Sequence, residues 1–234
     1  ISSLIILFLL SFNVVNATQV DVVSERYILY NMNDGTILDE KDPHTQVSIA
    51  SLTKIMTVIV AIENIDDYDK KVTITNDMLK DIDWDVVVTG FKVGQEVTYD
   101  DLLYGSILSS GADAINALGF SIAGDMDSFV KLMNNKVSEL GLKNTKFSNA
   151  VGLYDKNNYS SAYDMAQILI YALKNKKFKE VFETKEYKLS TNKTIKSTIY
   201  RYSEKGNSNI DLSKIKHKND LLDEKVLKLM VRGN

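Results

Sequence analysis

The chain of 234 residues carries 28 Lys and Arg against 31 Asp and Glu, a formal net charge of −3 at pH 7. That balance gives no support to a nucleic-acid partner, and the absence of cysteine excludes disulfides, thiolate metal centres and a cysteine nucleophile. Apolar residues at 44% and charged residues at 25% are the composition of a globular protein, long enough for one large domain or a core with an inserted subdomain.

Leu4-Ile5-Ile6-Leu7-Phe8-Leu9-Leu10 is an apolar run too short to span a bilayer. Val15-Asn16-Ala17 follows it with the small-x-small pattern of a signal-peptide end, so residues 1–17 are read as a leader cleaved after Ala17. A buried N-terminal strand or helix is the alternative. The chain starts at Ile1 with neither Met nor a positive n-region, and its N-terminus is read as incomplete.

Next come Tyr27-Ile28-Leu29-Tyr30 and Thr36-Ile37-Leu38 on either side of Asn33-Asp34-Gly35, which predicts an antiparallel hairpin. A short loop containing Pro43, the single proline, then leads to Ala50-Ser51-Leu52-Thr53-Lys54-Ile55-Met56-Thr57 and the apolar run Val58 to Ile62. A helix is expected here, ending near Ile65 before Asp66-Asp67. Residues at i and i+3 share a helix face, so Lys54 can reach Ser51. A serine hydroxyl becomes a useful nucleophile once a base takes its proton, and a desolvated lysine can be that base.

The tetrapeptide S-x-x-K occurs four times, as Ser51/Lys54, Ser128/Lys131, Ser190/Lys193 and Ser213/Lys216. Ser128 and Lys131 read as the wet side of an amphipathic helix, Ser190 as a strand end, and Ser213 as part of a Lys-rich tail. Only Ser51 leaves a loop directly into an apolar helix, whose N-terminus would direct N–H groups at an oxyanion formed beside it.

From about residue 75 to 175 the pattern is mainly helical, including Asp101 to Leu108, Met126 to Leu140 and Ala162 to Leu173, with strand-like pieces such as Val86-Val87-Val88. Strand character returns at Glu186 to Leu189 and at Ser197-Thr198-Ile199-Tyr200. Within the helical block, Ser109-Ser110-Gly111 breaks one helix and starts another. Ser110 there either relays a proton or simply caps a helix.

Ala50-Ser51-Leu52-Thr53-Lys54, Gly94-Gln95-Glu96-Val97-Thr98, Ser110-Gly111-Ala112-Asp113-Ala114, Leu140-Gly141-Leu142-Lys143-Asn144-Thr145, Gly152-Leu153 and Tyr159-Ser160-Ser161-Ala162-Tyr163-Asp164-Met165-Ala166 occur in an order that resembles the D-alanyl-D-alanine carboxypeptidases, the low-molecular-mass penicillin-binding proteins. The resemblance runs from about Val23 to Ile215. It implies an α/β (α+β) fold of the penicillin-recognising, transpeptidase and β-lactamase type: an antiparallel sheet with packed helices and a helical subdomain. The catalytic domain would occupy residues 18–216 and a divergent tail 217–234. It also implies a bacterial envelope or extracellular location, and Ser51, Lys54 and Ser110 as nucleophile, base and proton relay. The implied partners are a peptidoglycan stem peptide ending in D-Ala-D-Ala and β-lactam antibiotics, with no cofactor and no metal.

Two departures from the family pattern stand out. Its second motif is Ser-x-Asn, and Ala112 occupies the third position, with Asn116 one turn further on, so no substrate-binding side chain is assigned. Its third motif, Lys-Thr-Gly on a strand, is matched only by Lys193-Thr194-Ile195, which lacks the glycine and comes too early. After Lys216 the family order stops. The chain is therefore read as truncated or frame-disrupted, with the C-terminal core strands missing and activity weakened; whether a membrane-anchoring segment went with them is left open by the sequence.

A non-catalytic penicillin- or peptidoglycan-binding homologue is the alternative. A β-lactamase comes third, for want of a clear deacylating glutamate. His44 and His217, the only histidines, have no ligand cluster near them in sequence. His44 is read as solvated.

Overall fold

The structure, a computed structural model, describes residues 24–32 and 34–197 and the backbone of 226–231. Strands β1 (Arg26–Asn31) and β2 (Ile37–Lys41) pair antiparallel around the Asp34-Gly35 turn, with a register irregularity between Leu29 and Tyr30. Asp34 accepts from the Thr36 amide and hydroxyl, the local bonding that makes Asp-Gly a hairpin turn.

A 3-10 turn at Ala50–Leu52 runs directly into helix α1 (Thr53–Glu63). Every residue from Thr53 to Ile62 is buried, as a helix apolar on all sides must be. It is the central post of the molecule. Helices α3 (Tyr99–Leu108), α4 (Ala112–Ala123), α5 (Met126–Glu139), α6 (Ala162–Leu173) and α7 (Lys176–Glu183) all pack against it. Each fully buried Ile, Leu or Val on these helices contributes about 1.5–3 kcal/mol.

Three smaller elements complete the helical block. Strand β3 (Lys71–Thr73) pairs with β4 (Glu96–Thr98), and α2 (Asn76–Leu79) starts the excursion between them. The second hairpin, β5 (Glu186–Lys188) with β6 (Thr194–Lys196), is tied to α3 because the buried Asp101 accepts from the Ser190 amide at 2.9 Å and from the Ser190 hydroxyl.

Several expectations are corrected. Val86-Val87-Val88 forms no strand; it lies in an irregular segment with Val87 and Val88 exposed, so its β-branched residues find no pairing edge. The last strand of the second hairpin is Thr194–Lys196, earlier than Ser197 to Tyr200, because the turn falls at Ser190 to Asn192; residues 198–200 lie outside the described part. The family order predicts no core strand in the tail 217–234, yet β7 (Val226–Val231) pairs antiparallel with β1 along all six residues. It gives the three-stranded order β2-β1-β7. Five of its six residues are Val, Leu or Met, with Lys228 the exception, and strand-forming residues beside a β1 edge that is otherwise open among the described residues have good reason to pair. The 1–17 leader and Ser213/Lys216 lie outside the described residues.

Candidate active site

Ser51 is exposed at the head of α1, and Lys54 lies one turn later with only 5% of its surface accessible. Lys54 Nζ is 3.2 Å from Ser51 Oγ and donates to the Val151 carbonyl at 2.5 Å. No ion pair among the described residues includes Lys54. Burial without a counter-ion disfavours the charged amine, and its pKa is pushed down to about 8. Ser110, from the break between α3 and α4, puts its Oγ 3.3 Å from Ser51 Oγ. The structure thus gathers Ser51, Lys54 and Ser110 at one point, while Ser128 donates to Asp125, the N-cap of α5, and Ser190 is held by Asp101.

Backbone strain concentrates here. Among the described residues, four other than glycine have positive φ: Asp42, Ala50, Ser110 and Asn192. Asp and Asn tolerate that region in turns, whereas Ala and Ser adopt it at a cost of order 1–3 kcal/mol when surroundings enforce it. Ala50 (φ 44°) precedes Ser51, and Ser110 (φ 57°) faces it.

Two sets of contacts enforce this geometry. The segment from Ser148 to Ser160 runs along α1: Thr57 donates to the Ala150 carbonyl at 2.7 Å, Lys54 to Val151, and Asn158 to Thr53 Oγ1 at 3.3 Å. Asn149 shapes the turn, accepting from the Gly152 and Leu153 amides at 2.7 and 3.0 Å and donating to the Leu153 carbonyl at 3.0 Å. The second set centres on Asp113. Its buried carboxylate accepts from the amides of Thr89, Gly90, Phe91 and Ala114 at 2.7–2.9 Å, and so fixes the start of α4 behind Ser110. Gly111 is needed there, since a Cβ would come 2.1 Å from Thr89 Oγ1.

Chemically, a buried amine whose charged form is disfavoured, beside an exposed hydroxyl, can serve as base and nucleophile for acyl transfer, and a second hydroxyl is within reach to pass on a proton. Ala112 is buried, two residues after Ser110, and Ala112 and Asn116 both line a cavity. Lys193 is exposed and donates to the Thr89 carbonyl at 2.6 Å. His44 is exposed against Tyr163. Among the described residues no cluster of His, Asp and Glu could hold a metal ion. Sequence reasoning missed the Val151 carbonyl and the Asn149 turn; the signal for them is an Asn followed three residues later by a Gly.

The family model described as D-alanyl-D-alanine carboxypeptidase matches residues 13–220. The chain belongs to this family. The DacA carboxypeptidase of Escherichia coli is 40% identical over 157 residues, covering 62% of this chain and 38% of its own length. DacF of Bacillus subtilis is 37% identical over 143 residues, covering 59% and 36%. A Streptomyces D-alanyl-D-alanine carboxypeptidase is 38% identical over 185 residues, covering 72% and 60%. The chain thus spans between about a third and three-fifths of the length of these relatives.

Among solved structures, penicillin-binding protein 5 of Haemophilus influenzae aligns with a TM-score of 0.73 at 30% identity, covering 81% of this chain and 56% of that one. A Streptomyces DD-transpeptidase aligns with a TM-score of 0.70 at 31% identity, covering 77% and 76%. The carboxypeptidase family thus brings with it the penicillin-recognising α/β fold, as expected from the sequence.

Proposed function

We propose that this chain is a serine-type D-Ala-D-Ala carboxypeptidase that removes the terminal D-Ala from peptidoglycan stem peptides. Neutral Lys54 takes the Ser51 proton as Oγ attacks the carbonyl carbon of the penultimate D-Ala. The peptide C–N bond then breaks, and the terminal D-Ala leaves with a proton relayed through Ser110. Water attacks the resulting ester, its proton passes to Ser51, and the peptide departs one residue shorter. Each turnover consumes one water and releases one D-Ala. A β-lactam would acylate Ser51 by opening its strained amide in place of the first step.

One observation carries this reading: Lys54, buried and without a counter-ion, lies 3.2 Å from an exposed serine hydroxyl with its pKa lowered to about 8. With that pKa a fraction of Lys54 is free base at neutral pH, and the free form dominates above about 8.

The reading extends to the cell. The apolar run and the Val15-Asn16-Ala17 ending support Sec-type export with cleavage after Ala17, and the substrate places the enzyme at the cell wall, where trimming of stem peptides bears on cell shape. Among the described residues no helix is long and apolar enough to cross a membrane. Secreted material should begin at Thr18 by N-terminal sequencing.

The activity is tested by D-Ala release from diacetyl-L-Lys-D-Ala-D-Ala, comparing the parent with Ser51→Ala. Release should depend on Ser51. Equal release by both chains would remove Ser51 from the reaction.

A further inference from the structure

From Ile55 to Ile62 helix α1 is apolar except at Thr57, whose hydroxyl is carried into the middle of the core. A buried hydroxyl needs a partner there. A helical threonine ordinarily bonds the carbonyl four residues back, yet Thr57 Oγ1 is 3.3 Å from the Thr53 carbonyl and only 2.7 Å from the Ala150 carbonyl, 93 residues away. Its single proton goes to the nearer oxygen.

Ala150 is joined to Val151, whose carbonyl accepts from Lys54 Nζ at 2.5 Å. Thr57 and Lys54 are three positions apart on one face of α1, so their side chains grip successive carbonyls of one turn. Where Thr57 holds Ala150 decides where Val151 meets the amine. A neutral Lys54 that gives an N–H to Val151 has its lone pair left to face Ser51 Oγ at 3.2 Å.

No charged side chain of the helices packed on α1 competes for that amine. Asp101 of α3, Asp113 of α4 and Asp164 of α6 are buried and accept from amides and hydroxyls, Lys136 of α5 pairs with Glu63 at the far end of α1, and Lys177 of α7 pairs with Asp100 and Glu180. The remaining charged residues of those helices are exposed. Among the described residues the polar groups bonded to Lys54 Nζ are Ser51 Oγ and the Val151 carbonyl.

We propose that Thr57 is a positioning residue for the reaction of Ser51, acting through the Ala150–Val151 peptide to aim the Lys54 amine and to set how readily that amine holds a proton. The proposal rests on the reading of Lys54 as the base of a serine carboxypeptidase. A carbonyl that accepts from an ammonium group favours the charged form, so slackening the Val151 contact lowers the pKa of Lys54 below about 8. The amine is then free at lower pH but less well aimed.

The rate of Ser51 acylation by benzylpenicillin, followed against pH, separates this role from bulk stability. Thr57→Val keeps the shape and removes the hydroxyl, Thr57→Ala removes both, Thr57→Ser keeps the hydroxyl, and Ile59→Val loosens the same buried helix elsewhere. In either hydroxyl-free variant acylation should fall about tenfold, a part of the roughly hundredfold cost of misplacing a reacting group by about 1 Å, and its rise should move to lower pH. Thr57→Ser should bring the rise back to about 8, and Ile59→Val should lower Tm without moving it. A rise at the parent pH in a folded hydroxyl-free variant, or a Thr57→Ser protein displaced as far as Thr57→Val, overturns the role of Thr57 and leaves the carboxypeptidase reading standing. A parent Ser51 that takes no penicillin overturns both.

Discussion

Gly152 faces Ala50 so closely that a Cβ on Gly152 would lie 2.1 Å from the Ala50 carbonyl oxygen and 2.5 Å from its carbon. Both atoms are backbone, and Gly152 also has φ +91°, so a side chain there meets steric and torsional strain together. The same turn supplies the Val151 carbonyl to Lys54. One glycine therefore lets the turn press on the residue before Ser51 while its neighbour holds Lys54.

Gly152→Ala should push Ala50 and Ser51 away from the turn. Displacement of a reacting group by about 1 Å typically costs on the order of a hundredfold in rate. The expected result is a drop of that order in Ser51 acylation by penicillin, with a lower Tm. Parent-like acylation would show that the close approach does not position the nucleophile.

Acylation by penicillin should rise with pH through about 8, as Lys54 loses its proton. Lys54→Ala should lower the rate by about a hundredfold or more, the usual scale for a positioned base, and flatten that rise. Stability has its own sign. A lysine whose pKa is lowered in the fold disfavours folding while protonated in both states, so stability should increase as pH climbs from about 8 toward the ordinary value of 10.5. Denaturant titrations of the parent and Lys54→Met across that window would isolate this contribution. A flat acylation profile in the parent would remove Lys54 from proton transfer.

The hairpin, the central helix and the helices α3, α5 and α6 were legible because each follows from a local pattern: Asp-Gly between apolar runs, or apolar residues at helical spacing. Ser51 and Lys54 were legible for the same reason, being one turn apart on one helix. Ser110 lies 59 residues from Ser51, and only the ordered series of motifs suggested that they meet. The Lys54–Val151 bond spans 97 residues and uses a backbone carbonyl, which no side-chain pattern announces. Val86-Val87-Val88 misled for the converse reason: propensity favours a strand, but a strand needs a partner edge. The pairing of Val226–Val231 with β1 is equally non-local.

Asp113 gathers four backbone amides with one buried carboxylate, so its loss leaves several buried donors unmatched. Asp113→Ala should destabilise the fold by about 3–5 kcal/mol, the range for removing one partner from a buried charged network. Urea unfolding measures this directly. A loss below about 1 kcal/mol would mean that water or local rearrangement replaces the carboxylate at little cost.

The central claim is that Ser51 is a nucleophile activated by Lys54. Intact-protein mass spectrometry after incubation with benzylpenicillin, followed by peptide mapping, tests it most directly. The account predicts one covalent penicilloyl adduct on Ser51, absent from Ser51→Ala and strongly slowed in Lys54→Ala. An adduct on Ser110, Ser128 or any other residue, or no adduct on the folded parent chain, would contradict it.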